Sequence, residues 1–331
     1  MRRLIYILSA LGLAGSLGAA GAGFWVYGSF TRPGPLERDS VLIIERGSGA
    51  GAIARELNRA AVIDSALIFK IGVRFFNDPI PMKAGEYLFP AGVSPMNAAK
   101  ILQNGKTVIR RMTVAEGLSS AEVINILRRT EGLTGQMSPP PEEGSLLPET
   151  YHFSFGDTRQ DMVSRMKTAQ RKLLSSLWSD RSEGLPINTP RDAVILASIV
   201  EKETGRKGER SRVAAVFLNR IRKKMRLQSD PTIVYGITRG RRPLGRKLSR
   251  KDLKTETPYN TYIIKGLPPT PIANPGRDAL RAVLQPDVTD ELYFVADGTG
   301  GHVFSSTLEQ HNRNVARWRR FQKQKKGASG Q

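Results

Sequence analysis

Two glutamates stand two residues apart in Ile199-Val200-Glu201-Lys202-Glu203-Thr204, and a carboxyl group held partly protonated is a ready general acid. The stretch before them has a helix start built into it: Thr189 as N-cap, Pro190 at the first position and Asp192 at the third. On that helix Val194, Ala197, Ser198 and Glu201 share one face at i, i+3, i+4 and i+7. A carboxyl over so small and apolar a face loses hydration, which disfavours its charged form. Glu203 lies about 200° further around the helix and is expected to point elsewhere. Taken alone, Glu-Lys-Glu-Thr also reads as an ordinary solvated helix end.

Polar side chains interleaved with aromatics follow. Asn219, Gln228, Ser229, Asp230, Thr232 and Tyr235 come first, then Tyr259, Asn260, Thr261 and Tyr262, with Asn274 and His302 further on. Amides and hydroxyls beside aromatic rings suit a sugar, which has polar edges and an apolar ring face. The same residue types are also common turn formers. There is no cysteine, and the three histidines (His152, His302, His311) lack metal-ligand spacing. Thiol chemistry is therefore excluded, and neither a metal nor a cofactor is expected.

The elements that must position these groups are legible in outline. No charge occurs from Leu4 through Phe30, Arg2 and Arg3 precede the run, and Trp25 and Tyr27 near its far end fit an interfacial belt. Residues 1–30 are read as a retained transmembrane anchor rather than a cleaved leader, although Ala20-Gly21-Ala22 resembles a cleavage site. The very short N-terminal tail places the rest outside the cytoplasm, as a single-pass protein of the inner (cytoplasmic) membrane facing the periplasm.

Residues 31–38 form a Pro/Gly linker. Residues 39–135 carry a strand, Gly turn and helix pattern twice, at 41–59 and 108–128, which is expected to form small LysM-like β/α modules. Residues 136–150 form a second linker, 151–320 a mixed α+β catalytic domain, and 321–331 a basic disordered tail. The fold class is α+β. Beyond Gln228 the pattern reads as short polar-aromatic loops until the strand-like Leu292–Ala296 and a final helix through Trp318. A net charge of +21 favours a polyanionic partner. Outside the cytoplasm that means lipid head groups or cell wall, and no nucleic acid is expected as partner.

From Leu196 to Asn312 the chain resembles the YceG-like family of endolytic murein transglycosylases. The matching strings are Ala197-Ser198-Ile199-Val200-Glu201-Lys202-Glu203, Val216-Phe217-Leu218-Asn219-Arg220, Arg226-Leu227-Gln228-Ser229-Asp230-Pro231-Thr232 and Pro258-Tyr259-Asn260-Thr261-Tyr262. Gly266-Leu267-Pro268-Pro269, Asn274-Pro275-Gly276, Tyr293-Phe294-Val295-Ala296 and Gly301-His302-Val303-Phe304 continue the series in order. Upstream, Lys83-Ala84-Gly85-Glu86-Tyr87 and Leu147-Pro148-Glu149-Thr150-Tyr151 also resemble the family.

The resemblance implies cleavage of the β-1,4 bond between N-acetylmuramic acid and N-acetylglucosamine in nascent peptidoglycan strands. Glu201 would act first as acid and then as base, leaving 1,6-anhydro ends and terminating elongation, with peptidoglycan synthases as neighbours. Asn219, Gln228, Ser229, Asp230, Thr232, Tyr259, Asn260, Thr261, Asn274 and His302 are the residues expected to line the sugar site. Two rivals stay open: a water-using muramidase, with Asp230 as second carboxylate, and a noncatalytic anchored wall-binding scaffold.

Overall fold

The computed structural model describes residues 2–328, and the side chains of residues 11–206 and 208–324. The chain folds into two compact units: one runs up to Arg111 and adds His152–Asp157, while the other takes Met112–Tyr151 and the chain from Thr158 on.

In the first unit, helix α1 (Arg2–Thr31) leads to strand β1 (Ser40–Ile44), helices α2 (Ala50–Arg59) and α3 (Ala66–Phe76), strand β2 (Gly85–Phe89) and helix α4 (Pro95–Asn104). β1 and β2 are antiparallel, from Ser40 opposite Phe89 to Ile44 opposite Gly85. Their inner faces and the helices bury Ile44, Ile53, Leu57, Phe69, Tyr87, Phe89 and Leu102 together. Local signals set the boundaries. Ser65 Oγ accepts the Ile68 N–H to start α3, Ser94 and Pro95 start α4, and Gly105 in the left-handed region ends it.

The last turn of α1 is held by α3. Phe30 is fully buried, its ring edge-on to Phe69 at 6.3 Å, and Tyr27 meets Phe76 at 5.4 Å. Gly72 makes this possible, because a Cβ there would stand 2.2 Å from Phe30 Cδ2. Further back, Leu11, Leu13, Leu17, Phe24 and Trp25 of α1 are exposed. Among the described residues no helix is long and apolar enough to cross a membrane. The side chains of residues 2–10, where the expected span begins, lie outside the described ones.

The expected pair of β/α modules is not what forms. The first strand and helix build the β1-α2-α3-β2 arrangement, but strand β3 (Arg110–Thr113) pairs with β4 (Thr150–Phe153) instead. Helix α5 (Ser120–Arg129) belongs to the second unit. A strand-turn-helix string specifies its own dihedrals but not its partner, and β3 finds its hydrogen bonds 40 residues on.

The second unit continues with α6 (Arg159–Ser179), α7 (Pro190–Glu203), a 3-10 turn at Lys207–Glu209 and α8 (Arg210–Arg222). α9 (Asp230–Thr238), α10 (Arg250–Lys254), α11 (Arg277–Leu284), the strands β5 (Tyr293–Ala296) and β6 (His302–Ser305), and α12 (Leu308–Ala328) complete it. α7 is the central element: Ala193 through Val200 are all buried, and α7 packs on α8 and α11. Its start is a capping box, with Thr189 Oγ1 accepting the Asp192 N–H and Asp192 accepting the Thr189 N–H at 2.9 Å. β5 and β6 form an antiparallel hairpin.

Three helices stand where polar loops were expected. In α9 the Asp-Pro pair occupies the first turn, where Pro costs no hydrogen bond. α10 is started by a Ser249–Asp252 capping box, and α11 follows Gly276 directly. The basic tail is also not a loose end, since α12 runs to Ala328. Its Arg, Lys and Gln residues are good helix formers. Residues 329–331 lie outside the described ones.

Replacing Gly72 by Ala would add about 1 kcal/mol of helix propensity. Phe30 has no free volume to retreat into, so overpacking of about 1–3 kcal/mol outweighs that gain. Thermal unfolding of Gly72→Ala is expected at a lower midpoint, with partial recovery in the Gly72→Ala/Phe30→Leu double variant. An unchanged midpoint would show that the contact is not tight.

Candidate active site

Glu201 and Glu203 lie in the last turn of α7, where the helix dipole presents its negative end. That position already opposes ionisation of a carboxyl. The two residues then meet different hydrogen-bond partners.

Glu201 does not sit over an apolar face. Its Oε1 accepts from Arg210 Nη2 at 2.8 Å, and its Oε2 accepts the Gly276 N–H at 2.9 Å. Its side chain is 4% exposed and that of Arg210 7%. Arg210 also reaches Glu116 at 3.1 Å and Asp278 at 3.4 Å. Gly276 leaves room for the Glu116 carboxylate, which a Cβ there would displace, since it would fall 1.8 Å from Glu116 Oε1. Burial pushes the Glu201 carboxyl up, the Gly276 N–H and the Arg210 guanidinium pull it down, and Glu116 adds to the rise. Burial prevails, so this carboxyl too is held above the usual range, but both its oxygens already hold donors inside the protein.

Glu203, expected to point away, has surroundings closer to those a general acid needs. Ser229, itself 1% exposed, donates its hydroxyl to Glu203 Oε1, and no cation is paired directly with the carboxylate among the described residues. Burial pushes the Glu203 carboxyl up, the Ser229 hydroxyl opposes this, and the like charge of Asp230 reinforces it. His302 and Arg220 act from further away to lower it.

Lys202, between the two glutamates, donates to the Gly117 carbonyl. Lys202 and Asp230 line a cleft of about 550 Å³, with Pro231, Val234, Tyr235 and Arg242 on its walls. Asp230 is exposed and accepts the Tyr262 hydroxyl at 2.7 Å.

The expected sugar contacts divide sharply. Gln228 and Asp230 are exposed, and His302 is partly so. The rest are interior. Asn219 donates to the carbonyls of Thr289 and Glu291, and Asn260 to those of Asp252, Leu253 and Thr255. Thr232 and Thr261 bond each other at 2.8 Å, Thr261 accepts the Ser229 N–H, and the Tyr259 hydroxyl is taken up by Thr270. Asn274 is fully buried, accepting the Leu146 N–H and donating to the Leu118 carbonyl. Of these, Thr232 and Thr261 hold Ser229 in place at the start of α9, through its carbonyl and its N–H.

Several groups were not singled out from the sequence. Arg210, Glu116 and Gly276 hold the end of α7, and nothing in their spacing announces that they meet. His302 is fixed by Glu209, whose Oε2 lies 2.8 Å from His302 Nδ1 while Oε1 accepts the His302 N–H. Burial works to raise the Glu209 carboxyl, but the His302 bonds and Arg206 outweigh it and hold it low. Arg220 is buried, donating to the Leu292 and Leu227 carbonyls, and burial lowers its affinity for the proton.

Asn274→Ala would strand the Leu146 N–H in the interior, while the Leu118 carbonyl keeps the backbone N–H of residue 274, at a cost of about 1–3 kcal/mol. Denaturant unfolding is expected to show that loss with an unchanged slope. An unaltered midpoint would return Asn274 to the set of possible ligand contacts.

A model of the YceG-like family matches residues 42–317. The endolytic murein transglycosylase of Bacillus subtilis is 30% identical over 314 residues, covering 84% of this chain and 86% of that one. That of Streptococcus pneumoniae is 30% identical over 322 residues, covering 82% of this chain but 57% of its own greater length. The crystal structure of a yceG-like protein from Listeria monocytogenes, 29% identical, superposes with a TM-score of 0.50 over 84% of this chain and 99% of that one. The order of motifs, the matched span and the shared fold agree, and the chain belongs to the YceG-like family.

Proposed function

We propose that this chain is an endolytic transglycosylase of peptidoglycan strands and that Glu203, not Glu201, is its acid. The observation that carries the assignment is the contrast between two neighbouring carboxyls. Glu201 has both oxygens engaged by charged or backbone donors. Glu203 is bonded by the neutral hydroxyl of Ser229, and the chain neighbours on either side of that bond, Lys202 and Asp230, line the cleft. A general acid is aided by a raised pKa, which burial favours at both glutamates, and only Glu203 has it without a guanidinium bonded to the carboxyl.

In this reading Glu203 gives its proton to the glycosidic oxygen as the bond from that oxygen to C1 of N-acetylmuramic acid breaks. The C6 hydroxyl of the same sugar closes on C1, and its proton passes to the Glu203 carboxylate. The enzyme is thereby restored and a 1,6-anhydro end is left. Asp230 is negatively placed to favour the cationic sugar in between. Glu201 positions: with Arg210, it locks the last helical turn.

Asp230 also supports the second reading, a water-using muramidase, since two carboxyls near one another can share hydrolysis. Mass measurement of products from purified glycan strands separates the two. The transglycosylase product is expected to be lighter by one water.

The exposed apolar residues of α1 support membrane anchoring, with the rest on the periplasmic side of the inner membrane. The β1-α2-α3-β2 arrangement supports a LysM-like, glycan-binding role for the first unit. Proximity to newly made strands, and to the synthases that make them, follows from the anchor.

Glu203→Gln is expected to keep its thermal midpoint and lose roughly 10²–10⁴-fold in turnover. Glu201→Gln is expected to melt earlier and retain measurable turnover. The reverse pattern would transfer the acid role to Glu201. Asp230→Asn removes a like charge that raises the Glu203 pKa, so the protonated acid is lost at lower pH. The alkaline limb of the pH–rate profile should therefore move down in Asp230→Asn, and a limb that stays or moves up would sink this coupling.

A further inference from the structure

The anchoring reading leaves one surface of the first unit without a role. On α3, Leu67, Ile71 and Phe75 recur every fourth residue and form one outward stripe, with Leu67 65% and Phe75 68% exposed. Lys70 and Arg74, also four apart and exposed, run beside it, with the Arg74 guanidinium 5.8 Å from the centre of the Phe75 ring. The opposite face of α3 is buried through Phe69 and Gly72. A solvent-facing helix side needs no such apolar stripe. An apolar stripe edged by cations is the pattern of a helix lying in a lipid interface.

The contacts with α1 fix where that stripe lies along the anchor. Phe30 meets Phe69, while Tyr27, one turn nearer the N-terminus of α1, meets Phe76. α3 therefore runs back along α1, and its C-terminal end is the end nearer the apolar span. Phe76 meets Tyr27, so its neighbour Phe75 comes at the end of α3 nearest Trp25 and Tyr27, the residues read as the aromatic belt of the anchor. The Gly72–Phe30 contact leaves no slack between the helices.

We infer that the α3 stripe is a second membrane contact, seating the first unit on an anionic bilayer surface with Phe75 in the interface and Lys70 and Arg74 among the head groups. This rests on α1 being the anchor. A second copy of the chain is the less suitable occupant, because pairing would set the Lys70–Arg74 edges of two copies, each of net charge +21, against one another.

The chain has no cysteine, so single labels report single positions. Full-length protein carrying Phe75→Cys, Leu17→Cys or Val41→Cys, each with a small fluorophore, is reconstituted into vesicles of mixed zwitterionic and anionic phospholipid. Val41 is an exposed apolar control on β1. Lipids bearing a spin label high on the acyl chain are expected to quench positions 17 and 75 several-fold more than position 41. Quenching at 17 with position 75 behaving like 41 would overturn the second contact and leave the anchor standing. No quenching at either would overturn both. Position 75 shielded from aqueous iodide yet untouched by the lipid quencher would assign the stripe to a protein partner and equally overturn the inference.

Discussion

Arg210 carries an unusual load. It is 7% exposed, and Glu201, Glu116 and Asp278 all lie within 3.4 Å of its terminal nitrogens. Burying a guanidinium and a carboxylate costs several kcal/mol per ion in lost hydration, repaid only where geometry and further hydrogen bonds are good. Here the Gly276 N–H completes the coordination of Glu201. The result ties the C-terminal turn of α7 to the Glu116 turn and to the start of α11. Each of those segments alone would fray, as helix ends do.

Glu203 depends on that fixation. Two residues past Glu201, it would wander with an unpinned helix end and could not hold a hydroxyl partner. With the turn pinned, Ser229 and Asp230 can be brought to it from the start of α9 by buried hydrogen bonds of Thr232 and Thr261. The division of labour between the glutamates is thus electrostatic. A carboxyl bonded to a guanidinium is committed to structure, whereas one bonded to a neutral hydroxyl beside a like charge is raised with no cation bonded to it.

The first unit shows a related economy in packing. A single missing Cβ at Gly72 admits Phe30 and couples α1 to α3. Because α3 is amphipathic in two directions, its inner face builds the core while its outer face remains apolar. Burial alone explains only the first.

Much of the framework could be read directly. The Thr189-Pro190-Arg191-Asp192 start of α7, the β5 strand and the helix after it through Trp318 follow from local rules of capping and periodicity, and the family follows from the ordered motifs. α9 and α11 were hidden because Asp-Pro and Asn-Pro-Gly look the same whether they open a helix or a turn. Among the polar residues, composition marked Asn219, Asn260 and Asn274 as readily as Asp230, since a buried amide and an exposed one have the same letter. Sequence determined that two carboxyls stand at the end of α7, because helical spacing and residue type are local properties. Only the tertiary structure decided what surrounds each of them. Arg210, Gly276, Ser229 and Asp230 arrive from distant segments, and proton affinity is set by those neighbours rather than by the helix that carries the acid.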